Sequence, residues 1–201
     1  MNGARPTEAE VADEAKAESG PHSTEDAPDG FMRIVEARTA AQIETARSLI
    51  EEYVTSLPVD LSFQGYREEI AHFPRGYVPP DGVVLLSYDG EEPAGVVALR
   101  RLSDSACEMK RLYVRPKFRG RGIGRALSEE LVRRAALLGY ATMRLDTLVT
   151  MDAAIRLYVA LGFQEIPPYR YNPVEGARYM ELVLPGGGRR SGIADGPGRP
   201  T

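Results

Sequence analysis

The chain has 201 residues and 43% hydrophobic side chains, which suits one domain with a substantial core. A formal net charge of −4, one cysteine and two histidines exclude an internal disulfide and argue against a broad cationic nucleic-acid face or a His/Cys metal centre. No apolar run reaches the roughly 18 residues of a membrane helix and no apolar signal region opens the chain, so a soluble, cytoplasmic protein without membrane or nucleic-acid partners is expected.

Residues 1–30 hold eight acids, two bases and no aromatic side chain, and read as a disordered acidic tail. Residues 186–201 are Gly-rich and read as a flexible tail. The domain, residues 31–185, balances 20 bases against 20 acids. Its first strand is expected over 32–37. Thr39 and Gln42 then fit a capping box, opening a helix in which Ile43, Ala46, Ile50, Tyr53 and Leu57 recur at helical spacing until Pro58. A second short helix is expected over 62–73, with Phe63, Tyr66, Ile70 and Phe73 on its apolar side. Strands over 83–88 and 94–102 pair across a turn at Asp89-Gly90. Residues 106–115 form the next strand, ended by Pro116. A helix follows, with Ile123, Leu127, Leu131, Ala135 and Leu138 as its buried stripe and Gly139 at its close. A strand over 141–148, a helix over 152–161 closed by Gly162, and strands over 163–166 and 179–184 complete the chain. The order β-α-α-β-β-β-α-β-α-β-β makes a mixed α/β domain around one sheet.

The turn Arg119-Gly120-Arg121-Gly122-Ile123-Gly124 joins a strand to a helix start. Its glycines let a ligand approach the backbone, and the first helical amides converge there with the positive end of the helix dipole behind them. Seven bases (Lys110, Arg111, Arg115, Lys117, Arg119, Arg121, Arg125) crowd this segment, and no acid lies between Met109 and Ser128. That combination predicts a polyphosphate site. A dinucleotide fold would want G-x-G-x-x-G, whereas these glycines read G-x-G-x-G, and a P-loop would need Gly-Lys-Ser/Thr. The spacing of Asp146 suits a ribose contact, but the antiparallel strands before the turn argue against the dinucleotide fold.

The pattern Arg-x-x-Gly-x-Gly at Arg119, Gly122 and Gly124 resembles the acyl-CoA pyrophosphate motif of the GNAT acyltransferase superfamily. The run from Ala154 through Leu157, Tyr158 and Gly162 to Phe163 resembles that family's A-x-x-L-Y-x-x-x-G-F signature, and Leu112-Tyr113-Val114 before Pro116 fits its fourth strand. The resemblance covers about residues 32–184. It implies a mixed, mostly antiparallel central sheet flanked by helices and splayed between strands 4 and 5. It also implies an acyl-CoA-dependent N-acyltransferase that uses acetyl-CoA and no metal. One position departs: Met151 stands where many members carry an Asn that helps hold the CoA arm.

Carried onto this chain, the resemblance assigns Arg119, Gly120, Arg121, Gly122, Ile123, Gly124 and Arg125 to the pyrophosphate. Leu112 and Val114 are assigned to the pantetheine arm. Tyr158 becomes the acid that protonates the departing thiolate. Glu108 is expected on the strand face of Lys110, Leu112 and Val114, either as the general base or as half of a structural ion pair. Cys107 faces the other way. The acceptor, a small polar amine, is expected between the segment after Leu57 (Asp60, Phe63, Gln64, Tyr66) and the one before the last strand (Tyr169, Tyr171, Asn172). Arg100 or Arg101 is a candidate partner for an acceptor carboxylate. A non-catalytic acyl-CoA-binding regulator and a protein lysine or N-terminal acetyltransferase stand as alternatives, and a homodimer through a sheet edge is compatible with the chain.

Overall fold

The computed structural model describes residues 32–57 and 65–186. The tails expected over 1–30 and beyond Gly186 lie outside the described residues. Seven strands of the described residues form one sheet, β1 (Met32–Glu36), β2 (Val83–Asp89), β3 (Glu92–Arg101), β4 (Ala106–Val114), β5 (Thr142–Leu148), β6 (Gln164–Ile166) and β7 (Ala177–Val183). Among the described residues four helices flank it, α1 (Ala40–Thr55), α2 (Tyr66–Ala71), α3 (Ile123–Leu137) and α4 (Asp152–Ala160), with a 3-10 turn at Pro116–Phe118. The element order matches the expected one, with ends displaced by a few residues. The second helix is shorter than expected, and residues 58–64 before it are not described.

The strands lie in the order β1-β2-β3-β4-β5-β7-β6. Hairpins and short returns make the pairs antiparallel, except that α3 carries the chain across from β4 to β5 and sets those two parallel. β7 inserts between β5 and β6, which the linear sequence does not reveal.

Strand alternation divides the apolar residues into two cores. Val83, Leu85, Val97 and Leu99 face α3, where Ile123, Leu127, Leu131 and Ala135 meet them. Val84, Leu86, Val96 and Ala98 face α1, where Ala46, Leu49 and Ile50 close the other side. α1 begins at the expected capping box: Gln42 N donates to Thr39 Oγ1 at 3.2 Å, and Thr39 N donates to Gln42 Oε1 at 3.0 Å. α3 ends at Gly139, whose φ of +83° is left-handed.

Gly95 shows how closely α3 and β4 press on β3. A Cβ there would stand 2.6 Å from the Tyr113 carbonyl oxygen and 3.2 Å from Leu127 Cδ1. Backbone cannot yield as a side-chain tip can. Gly95→Ala is expected to lower stability by about 1–3 kcal/mol, read as a fall in Tm. An unchanged Tm would show slack at this crossing.

Candidate active site

The glycine turn is built as a strand-to-helix corner. Gly120 and Gly122 have φ of +77° and +80°, and Gly122 is the N-cap of α3. A Cβ at either would meet nothing within 4 Å, so the space above the turn is open. The first intrahelical bond runs from Ala126 N to Gly122 O at 3.0 Å. The amides of Ile123, Gly124 and Arg125 therefore precede the helical ladder, and no side chain among the described residues caps them. A phosphate fits this corner on three counts: open volume, unladdered donors and the helix dipole.

The arginines around the turn are themselves engaged. Arg121 grips Asp89 of β2 with two contacts of 2.6 and 2.9 Å, and Arg125 pairs with Glu129 at 3.0 Å. Arg119 Nε donates to the Val114 carbonyl at 3.0 Å. Their guanidinium groups are fixed near the corner, while the main chain presents the open donors.

Beside the corner, β4 departs from ideal alternation. Val96 faces Tyr113 and Ala98 faces Lys110, so Arg111 and Leu112 together oppose Val97 alone. This is a β-bulge, and Arg111 carries it with a φ of +60°, a conformation uncommon outside glycine. The strain is held by tertiary contacts. Arg111 Nε and Nη2 each donate to a Glu69 carboxylate oxygen at 3.0 Å, and the guanidinium lies 5.3 Å from the Tyr66 ring centroid. Tyr66 is thus placed under the bulge.

The bulge corrects the expectation that Glu108 shares a face with Leu112 and Val114. Before it, Cys107 and Met109 belong to the α3 core; after it, Leu112 and Val114 pack against that same core, because one extra residue shifts the phase of alternation. Glu108 lies on the opposite face. Pairing between β4 and β5 covers Ala106↔Thr142 to Glu108↔Arg144 and then stops. Beyond that rung the strands separate, giving the expected splay. The resulting cleft is lined by Met109, Lys110, Arg111 and Leu112 on one side and Leu145, Asp146, Thr147 and Leu148 on the other. Tyr53 and Leu57, Met151, Ala154 and Tyr158, and Asn172 and Val174 close it.

Glu108 is not among those lining residues. It is fully buried, and both carboxylate oxygens are taken: Oε2 by Arg100 Nε at 2.7 Å, Oε1 by the Tyr169 hydroxyl at 2.7 Å. Arg170 approaches Oε1 at 3.5 Å. Of its two expected roles, this geometry is that of the ion pair. Tyr169 likewise stands behind the cleft wall, edge-on to Tyr179 with ring centroids 5.5 Å apart. Arg100 is spent on Glu108, and Arg101 pairs with Asp104 and Asp81.

Asp146 and Lys110 are charged residues of the cleft that the sequence did not place there: Asp146 was weighed as a ribose ligand, and Lys110 as one of seven bases of the polyphosphate segment and as a neighbour of Glu108. Arg170 Nη2 reaches Asp146 Oδ1 and Oδ2 at 2.6 and 2.7 Å, and Asn172 Nδ2 donates to Oδ2 at 3.0 Å. Lys110 Nζ lies 3.7 Å from Oδ1. Burial works to raise the Asp146 carboxyl, but Lys110, Arg170 and Asn172 together hold it below its usual range. Burial pulls the Lys110 ammonium down to about 8, against the opposing pull of Glu108 and Asp146. Asp146 stands two residues beyond the last rung that joins β5 to β4, a position set by the fold and not signalled in the sequence.

Tyr158 comes from α4, which also delivers Met151 as its N-cap. The Thr147 hydroxyl contacts Met151 Sδ at 3.6 Å, so sulfur occupies the place where a polar side chain was looked for. The Tyr158 ring leans on Phe163 with centroids 5.7 Å apart. Burial pushes its phenol well above the usual range, which keeps the proton on oxygen. Cys107 is buried on the other face, its thiol 3.5 Å from the Thr142 carbonyl. Tyr171 is exposed. Asp60, Phe63 and Gln64 lie outside the described residues. Among the described residues no cluster of three or more His, Cys, Asp or Glu is gathered as metal ligands would be, and no helix is long and apolar enough to cross a membrane.

Comparison with known proteins bears on this site. The family model for the acetyltransferase (GNAT) family matches residues 46–163. The chain is similar to an uncharacterised N-acetyltransferase of Schizosaccharomyces pombe, 40% identical over 144 residues that cover 71% of this chain and 88% of the relative. Its fold is similar to that of an acetyltransferase from Streptococcus agalactiae, with a TM-score of 0.64 and 21% identity over 76% of this chain and 98% of that one. It is also similar to that of yncA from Salmonella typhimurium, solved with its cofactor acetyl-CoA, with a TM-score of 0.55 and 21% identity over 76% of this chain and 94% of that one.

Proposed function

The chain belongs to the acetyltransferase (GNAT) family, and on that premise we propose that it transfers an acetyl group from acetyl-CoA to the amine of a small polar molecule by direct attack in a ternary complex. The observation that carries this reading is that one strand-to-helix unit bears both an open corner at Gly122 and, at the bulge of Arg111 and Leu112, the wall of the cleft between β4 and β5. When bound, acetyl-CoA supplies a thioester, whose acyl carbon accepts the amine while a thiolate departs.

Each residue of the corner and the cleft has a defined task. The amides of Ile123, Gly124 and Arg125 hold the pyrophosphate, and Arg119 and Arg121 add positive charge beside them. The edge of β4 freed beyond Glu108 offers main-chain groups at Leu112 and Val114 to the pantetheine arm, as an added strand would meet them. Tyr158 holds a proton on its hydroxyl within the cleft, available to the departing sulfur. Glu108 is a positioning residue: through Tyr169 and Arg170 it fixes the loop that brings Asn172 to Asp146.

Release of CoA thiol across an amine panel tests the reaction, and no release above background with any amine would overturn it. Glu108→Gln separates the two roles of that carboxylate. As a positioning residue its loss leaves Arg100 short of its partner and lowers stability by about 1–3 kcal/mol, with rates reduced by a similar factor at all pH values. A normal Tm with a rate defect that grows as pH falls would restore Glu108 as the base.

A further inference from the structure

We infer that the Tyr53 hydroxyl receives the acceptor in the cleft, taking one N–H of a primary amine and so turning the nitrogen lone pair toward the thioester. The inference rests on the proposed acetyl transfer and names the class of amine together with the residue that reads it.

The cleft is lined from both faces of the sheet, and the two faces differ. Met109, Leu112, Leu145 and Tyr158 belong with the α3-side core, the side on which the glycine corner opens. Tyr53 belongs to α1 and packs with the opposite core. It lines the cleft together with Leu57, just past the end of α1. A donor carried from the corner along β4 fills the first face. An acceptor that is to meet the thioester without displacing it arrives from the second, past Tyr53.

The ring of Tyr53 is held while its hydroxyl is not used. The ring rests on Tyr113 with centroids 5.8 Å apart and planes tilted by 41°. Tyr113 faces α1 because the bulge at Arg111 shifts the alternation of β4, so the bulge builds the support under Tyr53. Other polar groups of the cleft are engaged: Arg111 on Glu69, Asp146 with Arg170 and Asn172, the Thr147 hydroxyl on Met151. The Tyr53 hydroxyl makes no hydrogen bond to any described residue. Tyr53 and Tyr158 feel each other and both feel Asp146, which brings the two phenols to one stretch of the cleft. Burial raises the Tyr53 phenol above its usual value, Arg111 draws it down and Asp146 adds to the rise. It therefore stays an O–H group with lone pairs to accept an N–H. A primary amine whose lone pair faces the acyl carbon has two N–H bonds left. One goes to Tyr53 and the other is free to lose its proton to water. An N-methyl amine has a single N–H for both tasks.

Primary amines that release thiol, each paired with its N-methyl counterpart, test this on wild type and Tyr53→Phe. Wild type is expected to favour the primary amine. In Tyr53→Phe, kcat/KM for the primary amine is expected to fall by about threefold to tenfold, the size of one neutral hydrogen bond. The N-methyl amine is expected to change little, so the gap between the two closes. Phenylalanine keeps the ring on Tyr113, so Tm and calorimetric CoA affinity should stay at wild-type values. Both amines are read on one preparation, which makes their ratio independent of the folded fraction, and comparing ratios between variants cancels the intrinsic reactivity of each amine. Equal use of the two amines by wild type, a gap that persists in Tyr53→Phe, or an equal loss for both amines would overturn the inference and leave the acetyl-transfer reading standing. CoA bound normally but no thiol released with any amine would overturn that reading and the inference with it.

Discussion

Gly122→Val is expected to abolish useful binding of acetyl-CoA while the domain stays folded. Gly122 has φ +80° at the N-cap of α3, where an L residue is strained and a β-branched one most of all. The strain amounts to about 1–2 kcal/mol, so Tm should fall modestly. The larger effect is on the ligand. A Cβ at this position has no neighbour within 4 Å, so the valine methyls would stand in the open volume over the first amides of α3. Phosphate oxygens would be held away from those donors. Loss of two charge-assisted hydrogen bonds, each worth roughly 1.5–3 kcal/mol, corresponds to about a hundredfold or more in Kd. Calorimetric titration with CoA reads this directly. Wild-type affinity in the folded variant would remove the pyrophosphate from this corner.

Tyr158→Phe is expected to act on turnover instead. Loss of a positioned general acid lowers kcat by roughly a hundred to ten-thousandfold, with acetyl-CoA affinity and Tm close to wild type. Phenylalanine keeps the ring that packs on Phe163, so the substitution removes little beyond the hydroxyl. Burial raises the phenol's pKa, so wild type should show no alkaline loss of rate from Tyr158 ionising near the usual tyrosine value. Normal single-turnover rates in Tyr158→Phe would take this residue out of the chemistry.

The parts of the site legible in sequence are those whose local chemistry forces them. Gly122 and Gly139 mark left-handed positions that other residues avoid, and Thr39 with Gln42 closes a capping box within four residues. The amphipathic stripes of α1 and α3 follow from helical spacing alone. The two motifs at Arg119–Gly124 and Ala154–Phe163 then pointed to the family that the comparisons support. What escaped depends on long-range contact. Arg111 holds its left-handed φ where Glu69, 42 positions earlier, accepts two hydrogen bonds from one edge of its guanidinium. Nothing in Lys-Arg-Leu-Tyr announces a bulge. The partners of Glu108 come from β3 and from a loop 61 residues downstream. Asp146 acquires its setting only when that loop folds back with Arg170 and Asn172.

The bulge at Arg111 also sets how β4 tolerates change. Positions 107 and 109 feed the α3 core, and beyond the extra residue that duty passes to 112 and 114. A saturation scan of the strand should therefore show a phase slip: intolerance to polar residues on odd numbers, then on even ones. Deleting Arg111 would leave an evenly pleated strand with Leu112 and Val114 still turned toward α3, so what such a deletion removes is the kink itself and the Glu69 clasp that pins it, not the facing of the residues beyond.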